Sequence, residues 1–282
     1  MKTWFITGTS SGFGRELVVQ LLARGDRVAA TARRPEVLDD LAEQAGDRLW
    51  RSALDVTDTP AVRATFAAAV EALGRVDVVV SNAGYGLFGA VEEVSDEQID
   101  RQIATNLTAS IQLAKAAIPH LREQGGGRFV QIASIGGQVA FPAMSLYHAT
   151  KWGIEGFWES AQAELAPLGI DVMLVEPGVA RTNFGGASSV WGAPLPDYAD
   201  GPSGQFRKIV SGELPALPAP GDPVKIVAAI IAAADGQSAP FRLTLGSDAW
   251  AMGTDALRRR LGALEDAKDL AHSTDADDYV AS

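Results

Sequence analysis

The sequence predicts a doubly wound α/β chain: a mostly parallel sheet of seven strands with helices on both faces, in one domain. Strand-like runs alternate with helix-like ones along most of its 282 residues. Several of the strand-like runs are continuous Val, Ile and Leu stretches, the pattern of strands buried on both faces of a parallel sheet. The third sign is a glycine-rich turn, Thr7-Gly8-Thr9-Ser10-Ser11-Gly12-Phe13-Gly14, between the first strand-like run and the first helical one.

The candidate strands cover residues 4–7, 27–31, 49–53, 76–81, 128–133, 171–176 and 241–245. Helical periodicity lies between them, over Arg15 to Leu22 and at residues 61–73, 98–121 and 146–165. Residues 183–222 break the rhythm, being rich in Gly, Pro, Ser and Ala with Trp191, Tyr198 and Phe206 interspersed. A loop this long is read as a lid or binding segment, with a loosely packed surface insertion as the alternative. Beyond residue 246, Leu257, Leu261 and Leu264 recur at helical spacing and predict an amphipathic helix. Arg258-Arg259-Arg260 within it reads as a solvated face, with a phosphate site as the alternative, and residues 272–282 as an acidic, frayed tail. Domain organisation is thus 1–246 for the catalytic unit and 247–282 for a terminal helix and tail.

Composition narrows the function. Apolar residues make up 47% of the chain, enough for a sizeable core. A formal charge of −11 argues against a general nucleic-acid or anionic-membrane binder. The chain contains no cysteine, which excludes disulfides, thiol nucleophiles and thiolate metal sites. His120, His148 and His272 form no ligand set, so no metal is expected; His148 reads as packing or interface, or as a wall of the site. No apolar stretch reaches the roughly 20 residues that span a bilayer. The N-terminus enters a strand at once, and a soluble cytoplasmic protein is expected.

Two motifs carry chemistry. Strand, glycine turn and helix is the context of dinucleotide binding. Gly8 permits a tight turn, while Gly12 and Gly14 let backbone approach a pyrophosphate and the helix pack closely on the sheet. The helix N-terminus then presents free N–H groups to phosphate. The second motif is Tyr147-His148-Ala149-Thr150-Lys151, whose four-residue step sets phenol and ammonium one turn apart on one helix face. A cation beside a phenol is expected to lower its pKa toward the working range. Ser134 and Asn106 precede this pair in the order and spacing of a carbonyl-reducing centre.

With these residues the chain resembles the short-chain dehydrogenase/reductase family in its classical branch, from about residue 2 to 246. The matching elements are Thr7-Gly8 to Gly14, Asp55, Asn82-Ala83-Gly84, Asn106, Ser134, Tyr147 to Lys151, and Pro177-Gly178 with Thr182. Ser81 departs from the further Asn usual before Asn-Ala-Gly, at a position not expected to affect chemistry. The resemblance implies a Rossmann-type fold, a nicotinamide cofactor, and a homodimer or homotetramer assembled through the helices containing Asn106 and Tyr147. It implies that Asp55, with Val56, contacts adenine and that Asn82-Ala83-Gly84 lies beside the cofactor ribose. It also implies that Pro177, Gly178 and Thr182 hold the carboxamide end, with Ser11 and Phe13 in the same cofactor site. A helix cap is the structural alternative for Asp55, although Asp58 or Thr57 suits that role better.

After the second strand an acidic residue would bond the 2′-hydroxyl of NAD, whereas an arginine accommodates the 2′-phosphate of NADP. Here Ala32 stands where NAD-dependent relatives carry aspartate and Arg33 follows, so NADP(H) is expected over NAD(H). The alternative is that Arg33 and Arg34 solvate the next helix. The expected reaction is hydride transfer between NADP(H) and a carbonyl or secondary alcohol. Tyr147 is then the acid/base, Ser134 bonds the substrate oxygen, Lys151 bonds the nicotinamide ribose and lowers the phenol's pKa, and Asn106 holds a relay water. Ala140, Phe141, Met144, Leu87 and Phe88 make the expected pocket apolar, suited to a hydrophobic ketone. An NAD-dependent alcohol dehydrogenase working oxidatively, or a non-catalytic NADP redox sensor, are the competing readings.

Overall fold

Alternating apolar side chains along each strand feed two cores, one on either face of a single parallel sheet. The computed structural model describes residues 1–182, 184, 189–236, 239–276 and 278–279. Its strands are β1 (Thr3–Thr7), β2 (Arg27–Ala32), β3 (Leu49–Ala53), β4 (Val78–Ser81), β5 (Leu87–Phe88), β6 (Gly127–Ile132), β7 (Ile170–Pro177), β8 (Val190–Trp191) and β9 (Arg242–Leu245). Seven of them form the main sheet in the order β3-β2-β1-β4-β6-β7-β9, every neighbour parallel. The predicted strands match within two residues at each end.

The helices are α1 (Gly12–Arg24), α2 (Asp39–Ala45), α3 (Thr59–Leu73), α4 (Asp96–Ile103), α5 (Ala109–Glu123), α6 (Ser145–Leu165), α7 (Pro202–Ser211), α8 (Pro223–Asp235), α9 (Ser247–Asp266) and α10 (Lys268–His272). On one face Trp4, Ile6, Val28, Val78 and Val130 pack with Leu17 and Leu21 of α1 and Ile230 of α8. On the other, Phe5, Ala29, Val79 and Phe129 pack with Phe66 of α3, Leu113 of α5 and Trp158 of α6. Burying both faces of the central strands keeps water from their ladder, while the edge strands β3 and β9 stay partly exposed, and every strand's carboxyl end lies along one edge. The order reverses between β1 and β4, so a crevice opens there, where open α/β sheets bind their ligands.

Three features differ from the sequence reading. The helix expected over 98–121 is interrupted by a π-helical turn, Ala104–Thr108, that contains Asn106. The long loop contains α7 and strand β8, which pairs with β5 as a two-stranded ribbon; residues 183 and 185–188 of that loop lie outside the described residues. The terminal helix α9 is present, but Leu257, Leu261 and Leu264 face outward. Its inner face is Ala249, Gly253 and Ala256, because only small residues let it lie on the Ile135–Gly137 turn. A Cβ on Gly253 would sit 3.0 Å from Ile135 Cδ1. The last tail residues, 277 and 280–282, lie outside the described residues.

Candidate active site

Glycine chemistry shapes the crevice at the β1/β4 reversal. Gly8 has φ +70°, and a Cβ there would lie 2.7 Å from Ala83 Cα. A Cβ on Gly14 would fall onto Gly8 O. The side chain of Asn82 explains the close approach: its Nδ2 donates to Thr7 O (2.8 Å) and Gly8 O (3.0 Å). Thr7 Oγ1 in turn accepts from the Asn82 and Ala83 amides at 3.0 and 3.1 Å. These bonds clamp the glycine turn to the end of β4. Gly12 opens α1 at φ +55°, and the N-cap Ser11 makes no side-chain bond to the helix, so among the described residues the first N–H groups are free for an anion. Phe13 packs against the first core.

Across the crevice, a Cβ on Gly12 would meet Thr182 Cβ at 4.0 Å, which places the end of β7 opposite the turn. Pro177 ends β7, and Gly178 donates to Leu245 O at 2.9 Å. Asp248 crowds Gly178 so closely that a Cβ there has no room, and its Oδ2 accepts from Val179 N at 2.7 Å. Beyond β2, Ala32 is buried while Arg33 is exposed and makes no hydrogen bond or ion pair among the described residues. Asp55 Oδ1 accepts from Thr57 N (3.0 Å) and Thr57 Oγ1 (2.7 Å). Those bonds, with the charge of Arg33, hold its carboxyl below the usual range. The helix cap is instead Asp58, which accepts from Ala61 N. Val56 packs against the second core beside it.

The structure brings Ser134, Tyr147 and Lys151 together. Ser134 lies two residues beyond β6 with its Oγ accepting from Gly136 N at 3.0 Å, and its hydroxyl is close enough to the Tyr147 phenol to oppose the rise of its pKa. Tyr147 and Lys151, one turn apart on α6, are both buried. Lys151 Nζ donates to Ile132 O (2.9 Å) and lies 5.7 Å from the Tyr147 ring centroid. Phe184 covers the phenol from the loop side at 5.3 Å between centroids. The expected lowering of the phenol is not seen. Burial pushes Tyr147 up to about 12, Ser134 opposing and Glu155 adding to the rise. Burial brings Lys151 down to about 8 against the pull of Glu155. Desolvation therefore outweighs the cation here, and the phenol keeps its proton at neutral pH.

Asn106 turns its side-chain amide to the backbone of the chain after β4. Its Oδ1 accepts from Tyr85 N (3.1 Å) and its Nδ2 donates to Tyr85 O (2.9 Å), so the amide grips the chain after β4 rather than turning to Lys151. A Cβ on Gly84 would press on Asn106 Oδ1 at 3.3 Å, which ties that glycine to the same contact. Glu155 went unnoticed in the sequence although it continues the Tyr147, Lys151 spacing by one further turn. It is buried, bonded to Gln138 and to Arg242 of β9 (2.7 Å), and burial pushes it up to about 7.

His148 is a staple, not a wall. Its Nδ1 donates to Gly136 O (2.8 Å) and its Nε2 accepts from Phe141 N (2.9 Å), holding the turn after Ser134 against α6. Only the neutral ring can do both. Burial lowers its pKa below the ordinary 6.5. A histidine that folds with a lowered pKa contributes stability above the unfolded value, and that stability is lost as pH falls. The wild type should lose thermal stability from about pH 6.5 downward, whereas His148→Leu should lack that slope. At pH 8 the variant should be about 2 kcal/mol less stable, since two backbone groups lose their partner. Thermal unfolding across pH checks both.

Of the aromatics expected as pocket walls, Trp191 and Phe206 cluster with Phe88 at 5.0 and 5.6 Å between centroids. Tyr198 instead points away, donating to Glu92 Oε2 at 2.6 Å on the exposed side. An ion pair missed by sequence reading, buried Glu93 with partly exposed Arg207 (2.8 Å), fastens this loop, with the guanidinium stacked 4.8 Å from Trp191. Burial disfavours the Glu93 charge, but amides of Leu195 and Ala90 and the Arg207 bond outweigh it and lower its pKa.

Residues 2–191 match the short chain dehydrogenase family model. The chain is 35% identical to oxidoreductase BOA17 of Botryotinia fuckeliana over 252 residues, 88% of this chain and 90% of that one. A short-chain dehydrogenase structure from Streptomyces avermitilis superposes with TM-score 0.90 at 39% identity, covering 98% of this chain and 100% of that one. An alcohol dehydrogenase from Thermococcus sibiricus, complexed with 5-hydroxy-NADP, superposes with TM-score 0.70 at 26% identity, over 87% of this chain and 96% of that one. Glycine turn, sheet order and the grouping of Ser134, Tyr147 and Lys151 agree with this kinship: the chain belongs to the short-chain dehydrogenases, an oxidoreductase family that binds nicotinamide cofactors.

Proposed function

We propose that the protein is an NADP(H)-dependent reductase of an apolar ketone, with Tyr147 as the proton donor. The observation that carries this is the buried Tyr147, one turn from buried Lys151 and beside Ser134, next to a crevice whose glycines leave room for a dinucleotide. The residues present fit that cofactor. Gly8, Gly12 and Gly14 leave the space of their missing Cβ atoms, the α1 amides are free, and Asp55 keeps Oδ2 for adenine. Ser11, Phe13, Val56, Asn82, Ala83 and Gly84 would line the adenosine and ribose portion, and Pro177, Gly178 and Thr182 the carboxamide end.

When bound, the nicotinamide supplies a hydride equivalent. Ser134 orients the carbonyl oxygen and stabilises the charge that develops on it. Tyr147 gives that oxygen its proton, completing a secondary alcohol. Lys151 would bond the nicotinamide ribose and, while charged, ease the departure of the phenolic proton. Asn106 fixes the Gly84–Tyr85 backbone beside the cofactor. Phe88, Trp191 and Phe206 enclose the apolar part of the substrate.

Arg33, a guanidinium without a partner among the described residues that follows Ala32 at the position where a carboxylate would repel a 2′-phosphate, supports NADP(H) over NAD(H). The alcohol dehydrogenase complexed with 5-hydroxy-NADP supports the same choice. Fluorescence titration tests it, using energy transfer from the six tryptophans to reduced cofactor. NADPH should bind at least about tenfold tighter than NADH, about 1.4 kcal/mol, and Arg33→Ala should remove most of that gap. A preference for NADH would overturn the assignment and favour the oxidative alcohol dehydrogenase.

A further inference from the structure

We propose that α9 is a self-association surface on which a second copy of this chain docks its own α9, antiparallel about a two-fold axis. Trp250, Leu257, Leu261 and Leu264 are 68%, 54%, 56% and 70% exposed. They fall on one side of the helix, Trp250, Leu257 and Leu264 seven residues apart and Leu261 four after Leu257, which is the seam of a helix–helix contact. The inner face is taken by Ala249, Gly253 and Ala256, so no described residue covers the seam. Contiguous apolar surface of this kind marks an interaction site.

Charge selects the occupant. Arg259 pairs with Asp255 within the helix, and Arg260 stacks on Trp152 at 4.6 Å. Arg258 and Glu265, which flank one side of the seam, have no side-chain partner among the described residues. In antiparallel pairing, like flanks face one another. Setting Leu261 on Leu264 of the second copy then brings Arg258 to Glu265 of that copy, twice by symmetry. The seam is thus complementary to itself. This helix follows β9 and is separate from the helices containing Asn106 and Tyr147, so the contact would double any assembly formed through them.

Sedimentation velocity on the full chain tests the proposal. Leu261→Glu/Leu264→Glu should halve the mass of the main species, with circular dichroism and NADPH affinity unchanged because the altered side chains are exposed. Arg258→Glu and Glu265→Arg should each weaken the larger species, and the double swap Arg258→Glu/Glu265→Arg should restore it. A monomeric wild type, or an unchanged mass in the double leucine variant, would overturn the proposal. So would binding of the wild type to phosphatidylcholine vesicles that is lost with the leucines while the mass stays constant. A double swap that fails to restore the larger species would reject the register, and with it the self-complementary pairing.

Discussion

Tyr147→Phe should lower turnover with NADPH and an apolar ketone by about a thousandfold while cofactor affinity stays within about twofold. Positioned proton transfer contributes on the order of 10²–10⁴ in rate, and no other described acid touches Ser134 to replace it. The cost in stability should be small, about 1 kcal/mol, since Ser134 keeps its bond from the Gly136 amide. The pH profile separates this role from a structural one. With the phenol held up at about 12 and Lys151 at about 8, wild-type reduction should be level through neutrality. It should then fall above pH 8 as Lys151 loses its charge. Initial rates across pH with both proteins measure this; near-wild-type turnover in Tyr147→Phe would remove the phenol from the mechanism.

Gly14→Ala should abolish cofactor binding, weakening it by at least about a hundredfold, and should also lower stability. Two effects oppose each other. Ala is the better helix former by about 1 kcal/mol. But the new methyl would fall onto Gly8 O and lie 2.5 Å from Asn82 Nδ2, both fixed by the clamp between β1 and β4. Overpacking against rigid backbone costs about 1–3 kcal/mol and is relieved only by opening the glycine turn. The steric term wins. Gly156→Ala on α6 provides the contrast, since a Cβ there meets nothing within 4 Å. It should raise stability by about 0.5–1 kcal/mol. Chemical denaturation and NADPH titration of both variants give the comparison.

What was legible in the sequence was local. Continuous apolar runs mark strands buried on both faces, and a glycine turn between strand and helix marks the crevice, because both depend on neighbours in the chain. The spacing of Tyr147 and Lys151 is legible for the same reason. The missed features depend on distant partners. Glu93 meets Arg207 across 114 residues, and Glu155 meets Arg242 across 87. Asn106 reads as a helix residue, yet a π-turn sets its amide on Tyr85, and side-chain propensity carries no sign of that turn. The direction of the Tyr147 shift required knowing how deeply α6 buries the phenol. The outward leucines of α9 show that the packed face of a helix is decided by fit as well as apolarity. Ala249, Gly253 and Ala256 approach the Ile135 turn where leucines have no room.

The central claim is that this crevice joins a nicotinamide to a carbonyl in front of Tyr147. The most direct measurement uses NADPH deuterated at nicotinamide C4, with an apolar ketone that the wild type reduces, and follows the label by mass spectrometry. The account predicts deuterium on the carbinol carbon of the alcohol from the wild type, and alcohol formation about a thousandfold slower with Tyr147→Phe. Alcohol formed without the label on that carbon, or at an undiminished rate without the phenol, would contradict it.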